Sequence, residues 1–99
     1  MKALIYGAGL SGRQVYKNIK DEVQVIGFLD GDPDKKGHVI ADGLSCLGGA
    51  EYLSAIEFDR IYIASRFWKE IKKILTDHGV SEDSIQVDIP LDTVSDIRN

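Results

Sequence analysis

Residues 2–12 read Lys-Ala-Leu-Ile-Tyr-Gly-Ala-Gly-Leu-Ser-Gly, an apolar run that breaks into three glycines spaced Gly-x-Gly-x-x-Gly at Gly7, Gly9 and Gly12. A second apolar run ends at Asp30, eighteen positions beyond Gly12. In a strand-loop-helix unit each glycine has its own reason. Gly7 allows the tight turn out of the strand, Gly9 lets a pyrophosphate approach the backbone, and Gly12 lets the next helix pack close to the sheet. The helix then presents free N–H groups and the positive end of its dipole to an anion, with Ser11 as cap or hydroxyl donor. An acid about 20 residues on accepts hydrogen bonds from ribose hydroxyls. Asp30 stands at that distance, and its carboxylate repels a 2′-phosphate, so the pattern favours NAD or a nucleoside diphosphate over NADP. A glycine loop kept for packing above an empty pocket is the competing reading.

The pattern continues as alternating strands and helices. Strands are expected at residues 2–6, 23–29, 38–40, 60–64 and 84–87, with helices at 11–20, 50–56 and 66–78. Val15, Tyr16 and Ile19 share one face of the first helix, as a helix covering a sheet requires. Phe67, Ile71, Ile74 and Leu75 are expected on the buried side of the last helix, which Gly79 ends. Val23 to Leu29 is nearly continuous in apolar character, as in strands buried on both faces. The fold class is therefore α/β, a Rossmann-like three-layer fold with a parallel sheet of four to five strands in the order 3-2-1-4-5. Residues 1–90 form the domain, and 91–99 read as a tail or linker to a further domain.

Ninety-nine residues allow one domain, short of the two mononucleotide halves of a full dinucleotide fold. The net charge of −4 and the scattered basic residues argue against nucleic-acid binding. Cys46 is the only cysteine, which excludes an intrachain disulfide and a cysteine-built metal site. No stretch approaches a membrane span and Met1 runs directly into the first strand, so the expectation is a cytoplasmic protein without direct membrane contact.

The stretches Tyr6-Gly-Ala-Gly-Leu-Ser-Gly-Arg13 and Val25-Ile-Gly-Phe-Leu-Asp-Gly-Asp-Pro-Asp-Lys-Lys-Gly37, followed by Gly43, resemble the nucleotide-binding modules of bacterial surface-sugar biosynthesis. Such modules stand before sugar N-acyltransferases that act on UDP-linked aminosugars and before membrane-bound polysaccharide-biosynthesis dehydratases, where the domain is CoA-binding-like. The resemblance covers residues 2–89. It implies a UDP-sugar held by the glycine loop and the aspartates after the second strand, at Gly7, Gly9, Ser11, Gly12, Asp30 and Asp32. Ser11 stands where many of the acyltransferases carry a histidine, so no histidine base transfers, and their hexapeptide β-helix is absent.

The candidate ligand-binding set is thus Gly7, Ala8, Gly9, Leu10, Ser11, Gly12, Arg13, Asp30 and Asp32, joined by Ser65 and Arg66 at the end of the fourth strand. Arg13 is placed to reach a phosphate, and Ser65 and Arg66 lie at the edge where ligands of open α/β sheets gather. In the competing reading Ser65 only caps a helix. No catalytic residue and no metal ligands are assigned. The expected ligand is NAD or a UDP-sugar, with a fused catalytic domain or a second copy of the chain as protein partner. Alternatives are a fragment of an NAD-dependent nucleotide-sugar dehydrogenase or epimerase, a structural module with Trp68 at an interface, and a CoA-binding module. In the last, Lys35 and Lys36 meet a 3′-phosphate against the opposition of Asp30, Asp32 and Asp34.

Overall fold

Strand β1 (Lys2–Tyr6) occupies the middle of a parallel sheet because its residues 3–6 are buried on both faces. The computed structural model describes residues 1–89, and the tail expected at 91–99 lies outside them. Beside β1 lie β2 (Gln24–Leu29) on one side and, on the other, β5 (Arg60–Ile63), which in turn pairs with β6 (Ile85–Val87). All three pairings are parallel. The architecture is α/β and Rossmann-like.

Two helices cover opposite faces. Helix α1 (Leu10–Ile19) packs Val15, Tyr16 and Ile19 against Ala3, Ile5, Phe28 and Tyr62. Helix α2 (Trp68–Asp77) and a 3₁₀ segment, Ala50–Ala55, pack on the other face, where Leu4, Leu29, Ile61 and Ile63 meet Leu53 and Leu75. An extra residue in β2 between Val25 and Gly27 resets the in-out alternation. Phe28 thereby returns to the α1 side and Leu29 to the α2 side.

The strand expected at 38–40 does not join the sheet. The chain instead forms a separate antiparallel hairpin of β3 (Val39–Ala41) and β4 (Leu44–Ser45). Asp42 and Gly43 both have positive φ, 46° and 80°. That is the backbone of a type I′ turn, for which Asp-Gly is a strong signal, and it folds the segment back on itself. The place of a third sheet strand beside β2 is taken by residues 46–48. Leu47 N–H donates to Phe28 O at 2.8 Å, Asp30 N–H donates to Gly48 O at 2.9 Å, and Cys46 bridges Phe28 in parallel sense. The expected order 3-2-1-4-5 thus loses its third strand and is otherwise kept as β2-β1-β5-β6, whose β5 and β6 are the expected fourth and fifth strands.

Helix α2 also differs in phase. It starts at Trp68, and Trp68, Ile71 and Leu75 face the core at i, i+3 and i+7. Phe67 lies in the turn before it and is 60% exposed, and Ile74 is 40% exposed. Both were expected on the buried side. Val80 N–H to Leu75 O and Gly79 N–H to Thr76 O close the helix in a Schellman arrangement, with His78 Nδ1 2.8 Å from Ile74 O.

Candidate functional site

The loops after β1 and β5 leave the sheet toward opposite faces, because α1 and α2 lie on opposite sides. Open α/β sheets form their ligand crevice at such a switch point, outside the carboxyl ends of the strands. Here that edge holds a cleft of about 290 Å³ lined by residues from the glycine loop, Asp30, Lys35, Ala64, Ser65, Arg66, Phe67 and Ile89.

The three glycines are not equivalent. A Cβ on Gly12 would lie 1.7 Å from Gly7 O, so the helix cannot approach the turn with any side chain there. Gly7 has φ +128°, and a Cβ on it would stand 2.9 Å from Ala64 O. Both are required by the chain's own packing. Gly9 has φ −103°, open to any residue, and a Cβ on it would meet only Lys35 Nζ at 3.6 Å. Among the described residues nothing else needs that side to be bare. Gly9 also gives α1 no side-chain cap, and the first turn carries no acidic residue, so its N–H groups are left for an outside acceptor.

Asp30 is held by the loops on either side. Its Oδ2 accepts from Ala8 N–H at 2.8 Å and its Oδ1 from Asp32 N–H at 2.9 Å. Lys35 Nζ lies 3.8 Å from Oδ2. A carboxylate offers about four lone-pair sites, so it keeps acceptor capacity toward the cleft. Asp32 lies outside the cleft lining and does another job. Its side chain accepts from Asp34 N–H and caps the 3₁₀ turn Pro33–Lys35, which carries Lys35 back over the glycine loop.

Of the expected residues, Gly7, Gly9, Leu10, Ser11, Gly12, Asp30, Ser65 and Arg66 meet in the cleft. Ala8 is buried beneath it and contributes its N–H to Asp30. Arg13 lines an adjoining depression with Lys35 and His38. Ser65 Oγ accepts from Phe67 N–H at 3.0 Å in the turn before α2, whose N-cap position is Phe67 and carries no side-chain cap, so Ser65 orders the turn and does not cap the helix. Sequence reasoning missed Phe67, and considered Lys35 only for a 3′-phosphate. The signal for Lys35 was present in Asp32-Pro33, a capped turn that reverses the chain. Lys36 turns away, donating to Tyr52 OH at 2.6 Å with its ammonium over the ring.

Tyr16 and Lys20 have the Tyr-x-x-x-Lys spacing used for proton transfer in short-chain dehydrogenases. Tyr16 is turned into the α1 core against Phe28 and donates its hydroxyl to Asp42 at 2.7 Å, which raises the phenol's pKa. It is not a cleft residue. Tyr6, at the end of β1, also has a raised pKa, from burial first and from the charge of Asp30 second. Among the described residues no group of three or more His, Cys, Asp or Glu side chains is placed to hold a metal ion, and no helix is long and apolar enough to cross a membrane.

The profile of one protein family, C2185-like, N-terminal, matches residues 1–86. The chain belongs to the C2185-like N-terminal family. No curated protein sequence matches this C2185-like domain. Among solved structures it is similar to UDP-D-quinovosamine 4-dehydrogenase from Vibrio fischeri, with 23% identity and a TM-score of 0.71 over 98% of the domain and 84% of that chain. It is also similar to RSP, a Rex-family repressor, at 15% identity and a TM-score of 0.66, covering 98% of the domain and 56% of that chain. RSP in complex with β-NADH matches at 18% identity and a TM-score of 0.62, over 99% and 59%. The C2185-like domain thus spans little more than half of RSP, and what these likenesses establish is the shared fold.

Proposed function

We propose that the C2185-like domain binds a nucleotide or nucleotide-sugar through its diphosphate, a UDP-sugar or NAD, and performs no chemistry by itself. The observation that carries this reading is Gly9. Its neighbours Gly7 and Gly12 are explained by contacts within the chain, whereas among the described residues only the tip of Lys35 comes near the bare side of Gly9, which leaves it open to an outside group. The first turn of α1 and Lys35 supply donors and positive charge for a diphosphate, Asp30 an acceptor for ribose hydroxyls, and Ser65 and Arg66 further donors at the other end. Among the described residues, Asp30 and Lys35 are the titratable side chains paired in the cleft. The likeness to proteins named for a UDP-sugar and for NADH supports the ligand class. The resemblance of the glycine loop and the Gly27-Phe-Leu-Asp-Gly-Asp-Pro33 stretch supports a role in surface-polysaccharide biosynthesis, beside a fused catalytic domain or a second copy of the chain.

Thermal unfolding with UDP, UDP-N-acetylglucosamine, NAD, NADP and CoA tests the proposal. A ligand at a hundredfold excess over its Kd stabilises the native state by about 2.7 kcal/mol. The expected result is a raised midpoint with a UDP compound or NAD, none with NADP, and loss of the shift in Gly9→Val with the ligand-free midpoint kept. A shift with UDP compounds alone supports the sugar-biosynthesis setting, and one with NAD alone a redox or sensor role. CoA alone replaces the proposed ligand class, and no shift with any leaves a loop kept for packing.

A further inference from the structure

Leu10 and Phe67 are among the most exposed large apolar side chains of the described residues, at 76% and 60%, and both line the same cleft. They stand on opposite sides of the crevice, Leu10 where the chain turns toward the α1 face and Phe67 where it turns toward the α2 face. Phe67 is not free to tuck away. Ser65 Oγ fixes its N–H, and the next residue, Trp68, takes the core position on α2. The residue is therefore kept in the lining of the cleft that also holds Asp30 and Lys35.

This inference rests on the proposed binding of a diphosphate at the glycine loop and decides between its two ligand classes. With a ribose at Asp30 and the diphosphate on the first turn of α1, the far half of the ligand reaches Ser65 and Phe67. A planar heterocycle stacks its whole π-face on an aromatic ring and buries its own, a larger apolar gain than the C–H face of a hydrated hexose makes there. We infer that Phe67, faced across the crevice by Leu10, is the stacking surface for a second planar ring, so that the site prefers a dinucleotide of the NAD class to a nucleotide-sugar.

Calorimetric titration of the chain with NAD, ADP-ribose and UDP-N-acetylglucosamine tests this, since ADP-ribose keeps the diphosphate and lacks the nicotinamide ring. Wild type is expected to bind NAD about tenfold or more tighter than ADP-ribose, which is ~1.4 kcal/mol. Phe67→Ala should erase that difference and leave ADP-ribose affinity unchanged, and Phe67→Tyr should restore it. Far-ultraviolet circular dichroism confirms that the variants fold. Equal affinity of wild type for NAD and ADP-ribose, or an equal loss of both in Phe67→Ala, overturns the inference. Binding of UDP-N-acetylglucosamine alone also overturns it while leaving diphosphate binding intact. If no compound binds, both fall. A Phe67→Ala chain that changes from dimer to monomer on a sizing column, with ligand affinities unmoved, assigns the residue to an interface instead.

Discussion

Replacing Gly12 by alanine sets a methyl carbon on the carbonyl oxygen of Gly7, and neither backbone can move without separating α1 from the turn that starts it. Gly12→Ala is expected to lower stability by about 3 kcal/mol or more, read from denaturant unfolding. Gly9→Ala, three residues earlier, meets only the flexible end of Lys35 and changes the first residue before the helix. Its expected effect is within about 1 kcal/mol, the range for losing a fair N-cap. The spacing of the glycines was legible in the sequence because each answers to a local requirement. What separates packing from binding was not, since that distinction depends on the carbonyls of Gly7 and Ala64 in space. Phe67 was misread for a similar reason. Either Phe67 or Trp68 satisfies the apolar spacing of α2, and the turn fixed by Ser65 decides that Trp68 goes inward.

The phase of α2 has a measurable consequence. Leu75→Ala removes a fully buried side chain and is expected to destabilise by about 2–5 kcal/mol, whereas Ile74→Ala, at a 40% exposed site one residue away, should fall below about 1 kcal/mol. Unfolding of the two variants under the same conditions checks the order. Elements with a long period of their own were readable: β1, β2 and both helices come within a few residues of expectation. The segment from 38 to 49 was not, because its short apolar runs fit an edge strand as well as a hairpin. The I′ geometry of Asp42-Gly43 makes the pair the middle of a hairpin turn, which a single strand at 38–40 does not allow for. Residues 46–48 then pair with β2 through only a few backbone bonds, which no side-chain pattern announces.

Across the molecule, Tyr6 and Cys46 hold their protons more tightly in the folded chain, chiefly through burial, and Tyr16 does so through its bond to Asp42. Below their ordinary values, 9.0 for the thiol and 10.0 for the phenols, both states are protonated and these groups leave stability unchanged. Above them the unfolded chain loses protons first, the folded state binds more, and stability falls as pH rises. Denaturant midpoints should therefore decline from about pH 9 upward, and Cys46→Ala should remove the earliest part of the decline. The two apolar clusters on either side of the sheet share no side chains, yet the crevice draws its walls from the α1 side and the α2 side alike. A molecule seated there acts as a dowel through both halves. Loosening either layer would release that molecule, so occupancy should slow amide exchange in α1 and α2 alike as well as raise the melting point.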